Sequence, residues 1–363
     1  MQSEKIYFVI GIFLLILIFI ILISIYKNSQ IKYFKCPQKP NSQILQQVFN
    51  SHNFQKDPND FHLYLPCGYN WIEKELNDIN IPNAKYIFAL KGCDKIVSKN
   101  SLWEILVIAF NRSGASTIMP DTYILSDVND YYMAQNQIAS GNVLICKKNV
   151  QRKQGLKFAF IQEDLADARD EDYKIAQVFF TNTLQIKGRK INMRLYFVIL
   201  KNAKNIKFFI NNNGKILYTN KTTGNEITFD SHITSYQMDS NIYETEQLPH
   251  NFYEFKKYIG NEKYNIIWKK ILQKMKYVSN AISNVFNDDK FNDQICFQLF
   301  GIDMIINGDE PYLLEINKGP DMIPKCNKDI VLKNNIYEET LALAGLLKFR
   351  SNNYVNIYET TFS

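Results

Sequence analysis

The pattern of apolar and polar positions divides this 363-residue chain into an apolar front, a mixed middle and a strand-rich end. Residues 6–26, "IYFVIGIFLLILIFIILISIY", form one uncharged run. Its length suits a helix crossing a bilayer, with Tyr7 and Tyr26 near the ends, where interfacial aromatics sit. The run is too long for a signal-peptide core and lacks a small-x-small cleavage site. Lys27, Lys32, Lys35 and Lys39 follow it, while Lys5 beside Glu4 precedes it. The positive flank predicts a retained single-pass membrane anchor over 1–27, with the residues after it in the cytosol.

A polar tether over 28–42 follows, with Pro37 and Pro40. Residues 43–116 read as a first lobe. "SQILQQVFN" and "SLWEILVIAFN" have helical spacing, Ser101 and Glu104 fit a capping box, and "AKYIFAL" reads as a strand. Residues 117–350 read as the main body. A strand at Thr122–Leu125 leads to a helix from Ser126-Asp127. "NVLICK" and "LKFAFI" are strands flanking a basic loop, "KNVQRKQG". Further strands are expected at 174–180, 192–201 and 205–210, with a long helix over 262–287 and an amphipathic helix over 336–349. Residues 351–363 are a tail without a pattern. Segregated strands and helices without repeats indicate an α+β fold.

Composition changes this picture little. Six cysteines lie scattered without CxxC or CxxH spacing. That spacing excludes a typical zinc site and a dense disulfide framework, and it suits a reducing compartment. The net charge of +6 favours acidic partners. With no basic helix or aromatic–basic interleaving, no nucleic acid is expected as a partner.

The chemistry concentrates in two apolar runs, Phe297–Ile306 and Pro311–Pro320, joined by the turn Asn307-Gly308-Asp309-Glu310. Asp303 sits on the first. Glu315 and Asn317 sit two apart on the second, so their side chains leave the same face of a strand. Converging oxygen donors suit magnesium, which completes its shell with nucleotide phosphates and water. The plainer reading is a β-hairpin with a chance acidic pair.

"FQLFGIDMII…PYLLEINKGPDM" resembles the metal-binding end of the ATP-grasp fold as tubulin-tyrosine-ligase-like proteins carry it, F-E-x-F-G-x-D-F…P-x-L-L-E-V-N-x-x-P. The likeness spans about 83–349 and is strongest at 143–200 and 294–322. "VLICKKNV" is similar to the family's I-V-K-P, with Lys147 on its lysine and Lys148 in place of proline; Arg152 becomes a candidate loop contact. "KIAQVFF" is similar to Q-K-Y-I, so Gln177, Val178 and Phe179 either line adenine or form a plain core strand. "GRKINMRLY" resembles G-R-K-F-D-I-R-x-Y. There Lys190, Asn192 and Arg194 share a strand face suited to phosphate or ribose, and Asn192 replaces an aspartate. "DSHITSYQMD" resembles H-L-T-N: His232 orients neighbours, Thr234 lines the pocket, and Ser235 replaces asparagine. Lys99 falls on the family's basic position. Relatives carry an arginine near the position of Leu217, yet no arginine lies between Arg194 and Arg350. Lys215 or Lys221 would have to substitute, with poorer bidentate geometry.

The resemblance implies a monomeric ATP-grasp enzyme with N-terminal, central and C-terminal lobes, preceded by the transmembrane helix. It implies ATP and Mg2+ as cofactors, with Asp303, Glu315 and Asn317 on the metal and Lys147, Lys190 and Arg194 on phosphates. Lys190 and Arg194 would also be the catalytic residues. The activity implied is ATP-dependent carboxylate–amine ligation through an acyl phosphate. A free amino acid (glutamate, glycine or tyrosine) is added to an acidic protein tail such as that of tubulin. Asn192, Ser235 and the missing arginine leave two alternatives: a nucleotide-binding scaffold without ligase activity, or a ligase for a small peptide.

Overall fold

The computed structural model describes residues 30–362 apart from 38, 80, 82, 83, 151–154, 235–238, 240, 289 and 349–352. Short strands β1 (Lys32–Phe34), β2 (Gln55–Lys56), β3 (Leu63–Tyr64) and β4 (Tyr86–Ile87) open the chain. Next come β5 (Thr122–Ile124), β6 (Leu144–Lys147), β7 (Leu156–Ala159) and β8 (Ile175–Val178). The later strands are β9 (Gln185–Ile186), β10 (Arg189–Lys201), β11 (Asn205–Tyr218), β12 (Ile295–Asn307), β13 (Glu310–Asn317) and β14 (Tyr354–Thr361).

The large sheet runs β14-β11-β10-β12-β4-β3-β1-β2, with β13 also on β12 and β9 on β10. On the edge away from β10, β12 serves two partners: Ile295 and Cys296 pair in parallel with β4, and Gly301–Asn307 pair antiparallel with β13. The small sheet, β5-β8-β6-β7, is antiparallel throughout. Its core is Leu144, Cys146 and Ala176 packed with Ala134 and Ile138 of the helix Val128–Ala139 and Leu165 and Ala168 of the helix Gln162–Asp170.

β10 explains where the site sits. Its residues Ile191, Met193, Leu195, Phe197 and Ile199 bury against the helix Asn261–Ile282 in the larger core. On its other face Tyr196, Val198 and Leu200 join a second core under the helices Gln43–Ser51 and Asn327–Leu343. Alternation places Lys190, Asn192 and Arg194 on that same second face. One face of one strand thus changes from polar to apolar between Arg194 and Tyr196. Opposite that change, β11 bulges: Leu195 pairs with Gly214 and Phe197 with Ile210. Asn211 and Asn213 stabilise the bulge locally, Asn213 N–H donating to Asn211 Oδ1 at 2.9 Å and Asn211 Nδ2 to Glu339 Oε2 at 2.6 Å.

Several expectations shift. The helix expected to cap at Ser101 begins at Lys99. The long helix expected over 262–287 is found as Asn261–Ile282 with a 3-10 turn at Ser283–Phe286, and a separate helix, Phe252–Ile259, precedes it across Gly260, where φ is 90°. The amphipathic helix of 336–349 occupies Asn327–Leu343. The unpatterned tail contains β14, an edge strand on β11. Cys36 and Cys67 form a disulfide, their Cα atoms 5.2 Å apart, against the expectation of reduced cysteines.

The membrane expectation is corrected. Among the described residues no helix is long and apolar enough to cross a membrane. The longest, Asn261–Ile282, carries Lys263, Lys269, Lys270, Lys274 and Lys276, charges a bilayer core strongly disfavours. The run 6–26 lies outside the described residues. The transmembrane helix, and with it the single-pass, cytosol-facing localisation, is therefore not supported. The mixed α/β arrangement itself is consistent with the ATP-grasp expectation.

Candidate functional site

Asp303 and Glu315 are direct cross-strand partners on β12 and β13, and a bulge follows at Met304. Asn317 lies two pairs further on, opposite Gly301, and its Nδ2 donates to Glu315 Oε1 at 3.1 Å. Arg194, paired with Asp303 from the other side of β12, grips that carboxylate with two prongs: Nε on Oδ1, and Nη2 on Oδ2 at 2.9 Å. Lys99 Nζ stands 3.5 Å from Glu315 Oε2. Gly301 permits this crowding. A Cβ there would lie 2.9 Å from Pro320 Cβ and 3.2 Å from Arg194 Cδ.

Lys147 reaches the same place from the small sheet. It is buried, and its Nζ donates to Gln177 Oε1 at 2.7 Å, while Gln177 Nε2 donates to Thr122 Oγ1 at 2.8 Å. Burial pulls the Lys147 ammonium down to about 8, with Glu315 pulling the other way. Burial alone would raise Glu315, but Lys99, Lys147, the Asn317 amide and Arg194 outweigh it and bring it to about 2. Glu315 is thus an ionised oxygen donor at neutral pH. Burial would lower Arg194, but Asp303 outweighs it and raises the guanidinium.

A second group lies farther along β10. Lys190 is 1% exposed. Its Nζ donates to Phe180 O at 2.8 Å and sits 4.6 Å from the centre of the Phe179 ring. Burial brings it to about 8. Burial, with Lys190 adding to it, brings His232 to about 4, so this ring is neutral. His232 exchanges a 2.7 Å hydrogen bond with Ser231 Oγ. Asn192 Nδ2 donates to Thr234 Oγ1 at 2.9 Å.

The structure therefore brings together Asp303, Glu315, Asn317, Arg194, Lys147 and Gln177, with Lys190, Phe179 and Thr234 beside them. Two other expectations meet a different arrangement. The backbone N–H groups of Val178 and Phe179 are already used, donating to Asp121 O and Val143 O at 2.8 and 2.9 Å. Lys215 is buried on Asp329, 2.7 and 2.8 Å from its two carboxylate oxygens, and Lys221 is an exposed partner of Asp230. Arg152 and Ser235 lie outside the described residues.

Sequence reasoning missed Asp329. This fully buried carboxylate also accepts from His250 Nε2 at 2.9 Å, from Lys333 Nζ at 3.3 Å and from Lys325 N–H at 2.9 Å. Burial would raise it, but the hydrogen bond from His250, with Lys215 and Lys333, outweighs burial and lowers it far below the carboxylate range. Sequence offered one signal, the i,i+4 spacing of Asp329 and Lys333 on a helix. His250 and Cys326 lie close enough to share a metal with Asp329, but two ammonium groups already occupy that carboxylate.

A family profile described as "Tubulin-tyrosine ligase family" matches residues 79–353. The tubulin polyglutamylase ttll-4 of Caenorhabditis elegans is 24% identical over 277 residues, 70% of this chain and 45% of that protein. Human tubulin polyglutamylase TTLL6 is 22% identical over 211 residues, 52% of this chain and 24% of that protein. The human probable tubulin polyglutamylase TTLL2 is 23% identical over 266 residues, 69% of this chain and 42% of that protein. The chain spans less than half the length of these relatives.

Proposed function

We propose, from the premise that this chain belongs to the tubulin-tyrosine ligase family, that it is an ATP-dependent amino-acid ligase acting on an acidic protein tail. Tubulin is the first acceptor to test, because the similar proteins are tubulin polyglutamylases by name. The observation that supports this reading most is the meeting of Asp303 and Glu315 with lysines from other elements, Lys99 and Lys147. Magnesium fits the donor set Asp303, Glu315 and Asn317, all oxygen, with Glu315 held ionised. Bound there, it would neutralise phosphate charge.

This chain's own residues supply positioning and charge. Lys147 and Lys190 are buried ammonium groups with no carboxylate hydrogen-bond partner among the described residues, which suits them to phosphate oxygens. Arg194 orients Asp303. The Phe179 ring and Gln177 flank Lys190 and Lys147, where the nucleotide would lie. An acceptor carboxylate attacks the γ-phosphorus, ADP leaves, and an acyl phosphate forms. The amine of the amino acid then attacks the acyl carbon, loses a proton and expels phosphate.

The test is mass addition to tubulin peptides by the full chain, with MgATP and glutamate, glycine or tyrosine in turn. The expected result is addition of one of them, reduced at least ~100-fold by Glu315→Gln, the scale seen when a positioned charge is removed. One observation favours a nucleotide-binding scaffold instead: Lys215 is committed to Asp329 and does not stand in for the missing arginine. Tight MgATP binding without addition to any acceptor peptide would favour the scaffold.

A further inference from the structure

Among the described residues, the side chain of Asn149 hydrogen-bonds the hairpin that carries Lys147 to the start of the helix that carries Lys99. Asn149 lies two residues beyond Lys147. Its Oδ1 accepts from Lys99 N–H at 2.9 Å. Its Nδ2 donates to Ser98 Oγ at 3.0 Å and to Asn100 Oδ1 at 2.6 Å. Ser98 Oγ donates in turn to Asn100 Oδ1 at 2.8 Å, closing a ring of polar groups. The helix Lys99–Ser116 leaves its first N–H groups without partners of its own, and its N-cap residue, Ser98, makes no side-chain cap bond. Asn149 supplies that bond from 50 residues away.

The direction of Asn149 is itself fixed. Lys148 N–H donates to Gly155 O at 2.9 Å, closing the mouth of the β6–β7 connection. Gly155 has φ +79°, and a Cβ there would fall 2.8 Å from Lys148 Cβ. The bridge therefore holds two lysines at set places: Lys147, two residues before Asn149, and Lys99, whose own amide it binds. Both act on Glu315.

We propose that Asn149 is a positioning residue, which fixes Lys99 and Lys147 beside Glu315 and so sets the affinity for MgATP. This rests on the nucleotide reading of the site. An exposed side chain with three hydrogen bonds at the surface contributes little to global folding, so its loss is read in binding rather than stability.

The experiment uses the full chain, with MgATP dissociation constants from calorimetry and amide hydrogen exchange at residues 98–101. Asn149→Ala is expected to weaken MgATP about five- to tenfold, the equivalent of one or two hydrogen bonds. Exchange at 98–101 rises, and the melting temperature moves by less than about 2 °C. In a Lys99→Met background the same substitution is expected to weaken MgATP by a smaller factor, about two- to threefold, because one of the two lysines it positions is gone. Asn149→Asp keeps the acceptor for Lys99 N–H and loses both donor hydrogens, so it should weaken MgATP less than the alanine variant does. Unchanged MgATP affinity in Asn149→Ala overturns the proposal, as does an undiminished effect in the Lys99→Met background. If the wild-type chain binds no MgATP, the nucleotide reading fails and takes this role with it, whereas the exchange data report the bridge independently.

Discussion

At the scale of single residues, the cleft works through groups whose charge is set by burial and by one another. Lys147 and Lys190 are both brought down to about 8 from 10.5, chiefly by burial. Their protonated forms bind phosphate, so MgATP affinity should be full near pH 7 and fall as pH rises through about 8. Dissociation constants between pH 6.5 and 9.5 would show it, and a flat profile would contradict it. Stability runs the other way. Between about 8 and 10.5 the unfolded lysines hold more protons than the folded ones, so these two groups add stability as pH rises across that interval. Asp329 makes a different prediction. Asp329→Ala leaves Lys215 and Lys333 buried without their carboxylate and should cost about 3–5 kcal/mol, read from urea unfolding. The hub was invisible in the sequence because Lys215, His250 and Asp329 are far apart in the chain and share no period. The same holds for Asn149, a small polar residue in a basic loop. Asp303, Glu315, Asn317, Lys147 and Arg194 were legible because each ends or alternates along an apolar strand, where a polar residue stands out.

At the scale of elements, hairpins and long apolar strands could be read and boundaries could not. The turn at Asn307–Glu310 was legible from Gly308, which takes φ 65°. β11 was expected over 205–210, and Asn211-Asn212-Asn213-Gly214 beyond it has the composition of a turn. It is the bulge instead, and the strand resumes to Tyr218. Gly214 makes that possible: a Cβ would meet Arg194 O at 2.4 Å and Phe252 Cζ at 2.5 Å. Gly214→Ala should therefore destabilise by about 1–3 kcal/mol, and by moving the Arg194 backbone it should weaken MgATP as well. Thermal unfolding and nucleotide titration on one sample would separate the two effects. β14 escaped notice because an edge strand buries few residues: Tyr354 is buried, while most of those after it are at least partly open. Its register on β11 comes from partners a sequence does not display.

At the scale of the whole molecule, the net charge of +6 bears on the acceptor rather than the nucleotide pocket. Attraction for an acidic tail acts over a Debye length, about 10 Å at 0.1 M salt and less above it. Raising salt from about 0.05 to 0.3 M should thus raise KM for an acidic acceptor peptide several-fold while changing the rate at saturation little. A salt-independent KM would argue that the acceptor is not recognised by charge. The large sheet also constrains how lineages of this chain can change length. Where β10 advances from Leu195 to Phe197, β11 advances from Ile210 to Gly214, so the bulge stores two surplus residues. Because side chains alternate with a period of two, Ile206, Phe208, Ile216 and Tyr218 all reach the same core on either side of it. Losing one residue there would turn half of β11 inside out, whereas losing two would only flatten it. Insertions and deletions tolerated at Asn211–Asn213 should come in even numbers, a parity rule that a library of one-, two- and three-residue deletions, sorted for soluble expression, would expose.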